Sequence, residues 1–288
     1  MAMTLRGVAL LLLPSMVLAA APAVDMAYTG GGRAACDESV LLQVKQQKHS
    51  EQCVNVSIEI YPYGTKQESK WGTSYTGWET CIGFEQSPID ICTRDTRVQH
   101  GAPLNQDYAS ATGLYVENNG HNLKVKGDFG SVIIGGEKFE AKQFHFHSPG
   151  EHQIDGHLSV AEMHIVNLNE NGTAAAVVGV LFKLGQKNMC LETVLAANMP
   201  RAGCKTFIGD LDLGCFGTQL KGPYWSYQGS LTTPPCSEIV KWNVLKRHAT
   251  ISQGQLKVLA QRFSFALGNN RDVQKLYHRS VTLTVPVY

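Results

Sequence analysis

Two histidines one residue apart, His145 and His147, and a third at His164 are the side chains of this chain best suited to holding a metal ion. Polar and aromatic residues alternate through residues 141–146, which predicts a β-strand whose successive side chains point to opposite faces. His145 and His147 then share one face, about 7 Å apart along the strand. Within residues 160–167, Glu162 and His164 share a face opposite Met163 and Ile165. If the two strands are neighbours, three imidazoles converge. Three neutral nitrogens and an open fourth position make a catalytic zinc site rather than a structural one. Gln143 and Glu162 each lie two residues before one of these histidines, on its own face. An amide oxygen or a carboxylate placed there can accept the second N–H of a zinc-bound imidazole.

Positioning such strands requires a large core. The chain has 288 residues, 43% of them hydrophobic and 17% charged, which suits one globular domain. A formal net charge of +1 gives no sign of a nucleic-acid partner. Short strand patterns punctuated by turns run through residues 123–126, 131–134, 174–184 and 239–245. Residues 174–184 are apolar almost without interruption, as in a strand buried on both faces. Residues 186–197 and 255–266 read as helices. The expected fold is mainly β with peripheral helices, a single domain around a large, mostly antiparallel twisted sheet.

The first 23 residues combine one arginine, an apolar run broken by Pro14 and small residues from Ala19, the pattern of a secretory signal peptide. A membrane anchor is the poorer reading, and the C-terminus lacks the apolar tail of a lipid-anchor signal. Residues 24–65 read as an N-terminal extension in which Cys36 and Cys53 enclose a polar segment, a candidate small disulfide loop. Eight cysteines behind a signal peptide predict disulfides, with one or two free buried thiols as the alternative. Asn55 and Asn171 match the N-glycosylation acceptor pattern.

Further segments gain meaning only together. In residues 224–236, Thr232 and Thr233 precede Pro234 and Pro235 and form a stiff loop with exposed hydroxyls. Residues 148–152 carry Glu151 and His152 just after the histidine pair, and residues 118–121 form a turn ending in His121. Each alone reads as a surface turn. From about Trp71 to the end, however, the chain resembles the α-class carbonic anhydrases, in the form found in bacteria, algae and plants. The resemblance rests on Gln86-Ser87-Pro88-Ile89-Asp90-Ile91, Asn119-Gly120-His121, residues 143–152, residues 162–164, residues 224–235 and Gly268-Asn269-Asn270-Arg271. It makes residues 66–288 the family domain.

The resemblance implies a zinc lyase that hydrates CO₂ reversibly to bicarbonate and a proton. His145, His147 and His164 would hold Zn²⁺, and hydroxide on the metal would attack CO₂. Gln143, Glu162 and the carbonyl of Asn269 would accept the second N–H of the three histidines. Thr232 would orient the hydroxide and pass its own hydrogen to Glu151. His121 would be a proton shuttle at the cavity mouth. Val166, Val177, Leu231, Val240 and Trp242 would line an apolar wall for CO₂, with Thr233 touching bicarbonate. Cys81 and Cys236 would be bridged, fastening the Thr232 loop to the N-terminal part of the domain. Three positions depart from the family pattern: Asp272 where a proline is common, Thr73 where a tyrosine is usual, and Gly150 in place of serine. Thr73, with Tyr75 two residues on, bears on the water path to His121, while Gly150 is expected to be without consequence. The implied setting is extracytoplasmic: secretion, a periplasm or an organelle lumen, with no stable membrane anchor. A catalytically inactive binding module of the same fold, and a hydrolase of small esters, are the competing readings.

Overall fold

This computed structural model describes residues 52, 53, 56–58, 61, 70–195, 199–261 and 268–288. The signal-peptide reading, Cys36 and Asn55 fall outside them. Most strands join one twelve-stranded sheet. Its centre runs in spatial order Leu123–Lys126, Glu137–His147, Ala161–Leu168, Ala175–Leu184, Val240–Ile251 and Tyr224–Gly229. Neighbours are antiparallel except where Ala175–Leu184 meets Val240–Ile251 and Thr282–Pro286 meets Arg97–Gly101. The mostly antiparallel, mainly β fold is therefore as expected.

Alternation of side chains explains why the central strands tolerate both apolar runs and histidines. Phe144, Phe146, Met163, Ile165, Ala176, Val178, Val180 and Phe182 all enter one large core on one face. The odd positions of the next strand, Ala175, Val177 and Leu181, join Val166, Val240, Trp242 and Val244 in a second core on the other face. Residues 175–182 are consequently buried throughout, with solvent reaching only the last two positions of the strand. His145, His147 and His164 project from the second face, so the sheet holds them against a fully packed backing.

The helices are short and peripheral. Met189–Leu195 lies within the expected 186–197. The second spans Gln253–Ala260 and starts earlier than expected, because Ser252 and Gln255 close a capping box at its N-terminus. Among the described residues three disulfides form: Cys53–Cys204, Cys81–Cys236 and Cys190–Cys215. The Cys81–Cys236 bond is the one implied by the resemblance. A small loop closed by Cys36 and Cys53 is not formed, because Cys53 is bonded to Cys204, far along the sequence but adjacent in the fold. Cys92 is a free thiol.

Candidate metal centre

Register brings the three histidines together. His164 lies directly opposite His145 across an antiparallel pair, and Glu162 lies opposite His147. The ring centroids are 5.1 Å apart for His145 and His147, 5.2 Å for His145 and His164, and 4.7 Å for His147 and His164. One nitrogen from each ring meets the others within 4.8 Å.

The outward-facing nitrogen of each ring is held. Nδ1 of His145 donates to Oε1 of Gln143 at 2.9 Å, and Nδ1 of His147 donates to the carbonyl of Asn269 at 2.9 Å. Nε2 of His164 donates to Oε1 of Glu162 at 2.9 Å. The assigned acceptors can only accept, so the tautomers are fixed. The cage is left with Nε2 of His145, Nε2 of His147 and Nδ1 of His164, each with a lone pair. Nε2 of His147 is buried without a hydrogen-bond partner, an orphan that a divalent ion would satisfy. Burial, followed by the neighbouring imidazoles and Lys124, holds His145 well below its ordinary value. Burial lowers His147 to about 4 against the opposing pull of the Asn269 carbonyl. The rings are thus neutral at physiological pH, as metal ligands must be. The donor set fits zinc.

Two supports were only half legible in the sequence. Glu162 accepts from the backbone N–H of Glu151 and of His152 at 2.8 Å each, and from Nδ1 of His152 at 2.7 Å. Its burial would raise its pKa, but the imidazoles of His152 and His164 draw it well down, so it stays ionised. His152 is fully buried and also meets the hydroxyl of Tyr227 at 2.7 Å, which reaches Oγ of Ser87 at 3.0 Å. Position next to Glu151 was its signal; its partners, Glu162 and Tyr227, come from two different strands. Asn269 is the other support. Its side chain donates to the carbonyls of His121 and Phe146 at 2.8 and 3.0 Å and accepts from the N–H of Ser148 at 2.9 Å. Gly268 before it has φ +97°, and a Cβ there would lie 2.6 Å from Cδ of Pro149. Only glycine admits that approach.

Glu151 is fully buried, and its Oε1 accepts from the N–H of Arg271 at 2.8 Å. Burial raises its pKa to about 7, with His164, that N–H and the Thr232 hydroxyl all pulling down. Its Oε2 is buried without a hydrogen-bond partner. The Thr232 loop is pinned at both ends: Ser230 and Ser87 exchange two hydrogen bonds, at 2.9 and 3.0 Å, and Cys236 carries the disulfide to Cys81. Arg271 gathers these parts by donating to Oε1 of Gln86 at 2.9 Å, the carbonyl of Ser87 at 2.8 Å and that of Cys81 at 3.0 Å. Gly150 stands close to Ser159. A Cβ there would collide with Oγ of Ser159 and crowd Cβ of Glu162 at 3.3 Å, so a serine would have to displace Ser159.

A cavity of about 180 Å³ opens over the cage, lined by His121, Val166, Val177, Leu231, Thr232, Thr233 and Trp242 among others. Val240 is not part of this lining. It is fully buried in the second core, at a register position next to Ala175 and Gly229, while Trp242 lines the wall as expected. His121 lines the cavity but is only 2% exposed, so it lies beneath other residues instead of at an open mouth.

A family model described as eukaryotic-type carbonic anhydrase matches residues 66–285. The chain belongs to the α-class carbonic anhydrase family. A carbonic anhydrase of Klebsiella pneumoniae is 37% identical over 226 residues, 76% of this chain and 88% of that one. The solved α-carbonic anhydrase of Thermovibrio ammonificans, in complex with the inhibitor sulfanilamide, superposes with a TM-score of 0.70 at 38% identity, covering 76% of this chain and 96% of its own. A dioscorin complexed with ascorbate superposes with a TM-score of 0.71 at 29% identity over 79% of this chain and 98% of its own.

Proposed function

We propose that this member of the family is a zinc-dependent enzyme that interconverts CO₂ and bicarbonate. The observation that carries the reading is the cage of three neutral, outwardly anchored imidazoles with a buried unpartnered nitrogen at His147. His145, His147 and His164 would hold the metal. When bound, zinc supplies a Lewis acid that acidifies a water molecule at neutral pH. The protein does the rest by position. Val166, Val177, Leu231 and Trp242 present apolar surface that suits CO₂ and excludes competing water. The Thr232 hydroxyl has one hydrogen, and Glu151 in its carboxylate form would be the acceptor for it. Thr232 can then only accept from the reacting water, which aims that water's lone pair at the carbon; this is orientation, not acid–base catalysis. Thr233, on the cavity lining, would meet the product. One proton must leave per turnover, and the imidazole of His121, on the same cavity, is the group suited to carry it.

The apolar wall of so small a cavity favours CO₂ over bulky esters, leaving ester hydrolysis as a side activity. We further propose that residues 1–23 direct secretion, that residues 24–65 form an extension and that Asn171, exposed on a turn, can carry a glycan. Among the described residues no helix is long and apolar enough to cross a membrane. Metal analysis with a CO₂-hydration assay tests the enzyme reading. The expected result is one zinc per chain and hydration that His164→Ala abolishes with the fold retained. An active His164→Ala protein, or a zinc-loaded wild type without hydration, would sink it, the latter in favour of an inactive binding module.

A further inference from the structure

His121 is expected at an open cavity mouth, yet almost none of it meets solvent. One ring packed on it is Tyr61, from the segment before the family domain. The two rings meet edge to face, with centroids 4.8 Å apart at 72°. Tyr61 also touches Trp78 at 5.8 Å and Trp71 at 6.3 Å, so it closes an aromatic group that ends on the imidazole. Neither tyrosine-related feature nearby does this job. Thr73 is exposed and its hydroxyl returns to the carbonyl of Lys70, while Tyr75 stacks on Trp78 at 4.6 Å.

The segment that delivers Tyr61 is fastened beside the His121 turn. Gln52 and Lys205 exchange both backbone hydrogen bonds, at 2.8 and 2.7 Å, and Cys53 is bonded to Cys204. Cys204 is the register partner of Asn118, the residue that opens the turn through its side chain's bond to the N–H of Gly120. Ile58 lies over Gly203, whose built Cβ would come within 3.2 Å of it. From below, Asn269 grips the carbonyl of His121. The backbone of His121 is thus held by the domain, and its ring packs against Tyr61.

Resting on the reading of His121 as the proton carrier, we propose that Tyr61, latched in place by the Cys53–Cys204 disulfide, is a positioning residue that holds the His121 ring turned toward the cavity. A surface imidazole otherwise divides its time between inward and outward rotamers. An edge-to-face aromatic contact biases such a pair by roughly two- to ten-fold. The extension is then part of the proton path, and the bond that fastens it governs turnover without touching the metal.

The test uses the full, metal-loaded chain. Oxygen-18 exchange separates CO₂–bicarbonate interconversion from the proton-dependent release of labelled water, and histidine-selective NMR reads the ring-current shift of the imidazole signal that His121→Ala deletes. Tyr61→Ala, and independently the paired substitution Cys53→Ser with Cys204→Ser, are expected to slow labelled-water release on the order of ten-fold. Interconversion stays unchanged and the ring-current shift is lost, whereas Tyr61→Phe restores both the shift and the rate. If His121→Ala slows release but Tyr61→Ala does not, or speeds it, the positioning role is overturned while His121 stands. If His121→Ala itself leaves release at the wild-type rate, the shuttle reading fails and takes this proposal with it.

Discussion

Glu162→Gln is the most revealing single change at the cage. The carboxylate accepts four hydrogen bonds: two backbone N–H groups on Oε2 at 2.8 Å, and on Oε1 His152 at 2.7 Å and His164 at 2.9 Å. Glutamine keeps the shape but offers one acceptor oxygen and one NH₂ group. Backbone amides can only donate, so the oxygen must stay on their side and the NH₂ must face the two imidazoles. Nε2 of His164 then has to accept, which moves its proton to Nδ1, the nitrogen that faces the other two rings. Binding a metal requires undoing that arrangement. Losing one charge-assisted hydrogen bond to a ligand costs about 1.5–3 kcal/mol. Metal affinity falls about 10- to 100-fold when such a support is removed, and the inverted tautomer puts this case near 100-fold, about 2.8 kcal/mol. Competition against a chromophoric zinc chelator at neutral pH measures it, with circular dichroism to confirm folding. Gln143→Ala is the comparison. It removes a neutral acceptor from the least buried of the three rings, and about ten-fold is expected. Should Glu162→Gln fold normally and bind zinc within about three-fold of wild type, a difference under about 0.7 kcal/mol, the tautomer argument is wrong.

Two further outcomes are expected. The metal-free protein loses stability as pH falls from about 6.5 toward 4, because His145, His147 and His164 have lowered pKa values in the fold and the unfolded chain takes up protons first. Glu151, raised to about 7, acts in the opposite sense but is one group against three. Urea titrations of stripped protein near pH 7 and pH 4.5 check this, and equal midpoints would contradict it; bound zinc should move the loss to lower pH. Replacing Cys81 and Cys236 together by serine removes a bond across a separation of 155 residues. Chain entropy alone puts that near 5 kcal/mol, reduced to about 4 because Cys53–Cys204 already closes most of the same loop. A melting temperature unchanged by the double substitution would show that the Thr232 loop does not depend on its fastening.

Much of the cage was written locally. Alternation placed His145, His147 and Gln143 on one face and Glu162 with His164 on another, because side-chain direction in a strand depends only on parity. The apolar run from 174 likewise announced a strand between two cores, since a sheet covered on both sides needs apolar residues at every position. The resemblance added Asn269, Thr232, Glu151 and His121, which lie in loops whose spacing carries no geometric rule of its own. Parity could not say which strands are neighbours. Only the assembled sheet put His164 opposite His145 and turned Val240 into the core, away from the wall that Trp242 lines. Only it joined His152 to Glu162 and Tyr227, paired Cys53 with Cys204, and laid Tyr61 on His121. Those contacts connect residues far apart in the chain. Which of them form is decided by the register and packing of whole strands, a property no short stretch of sequence contains.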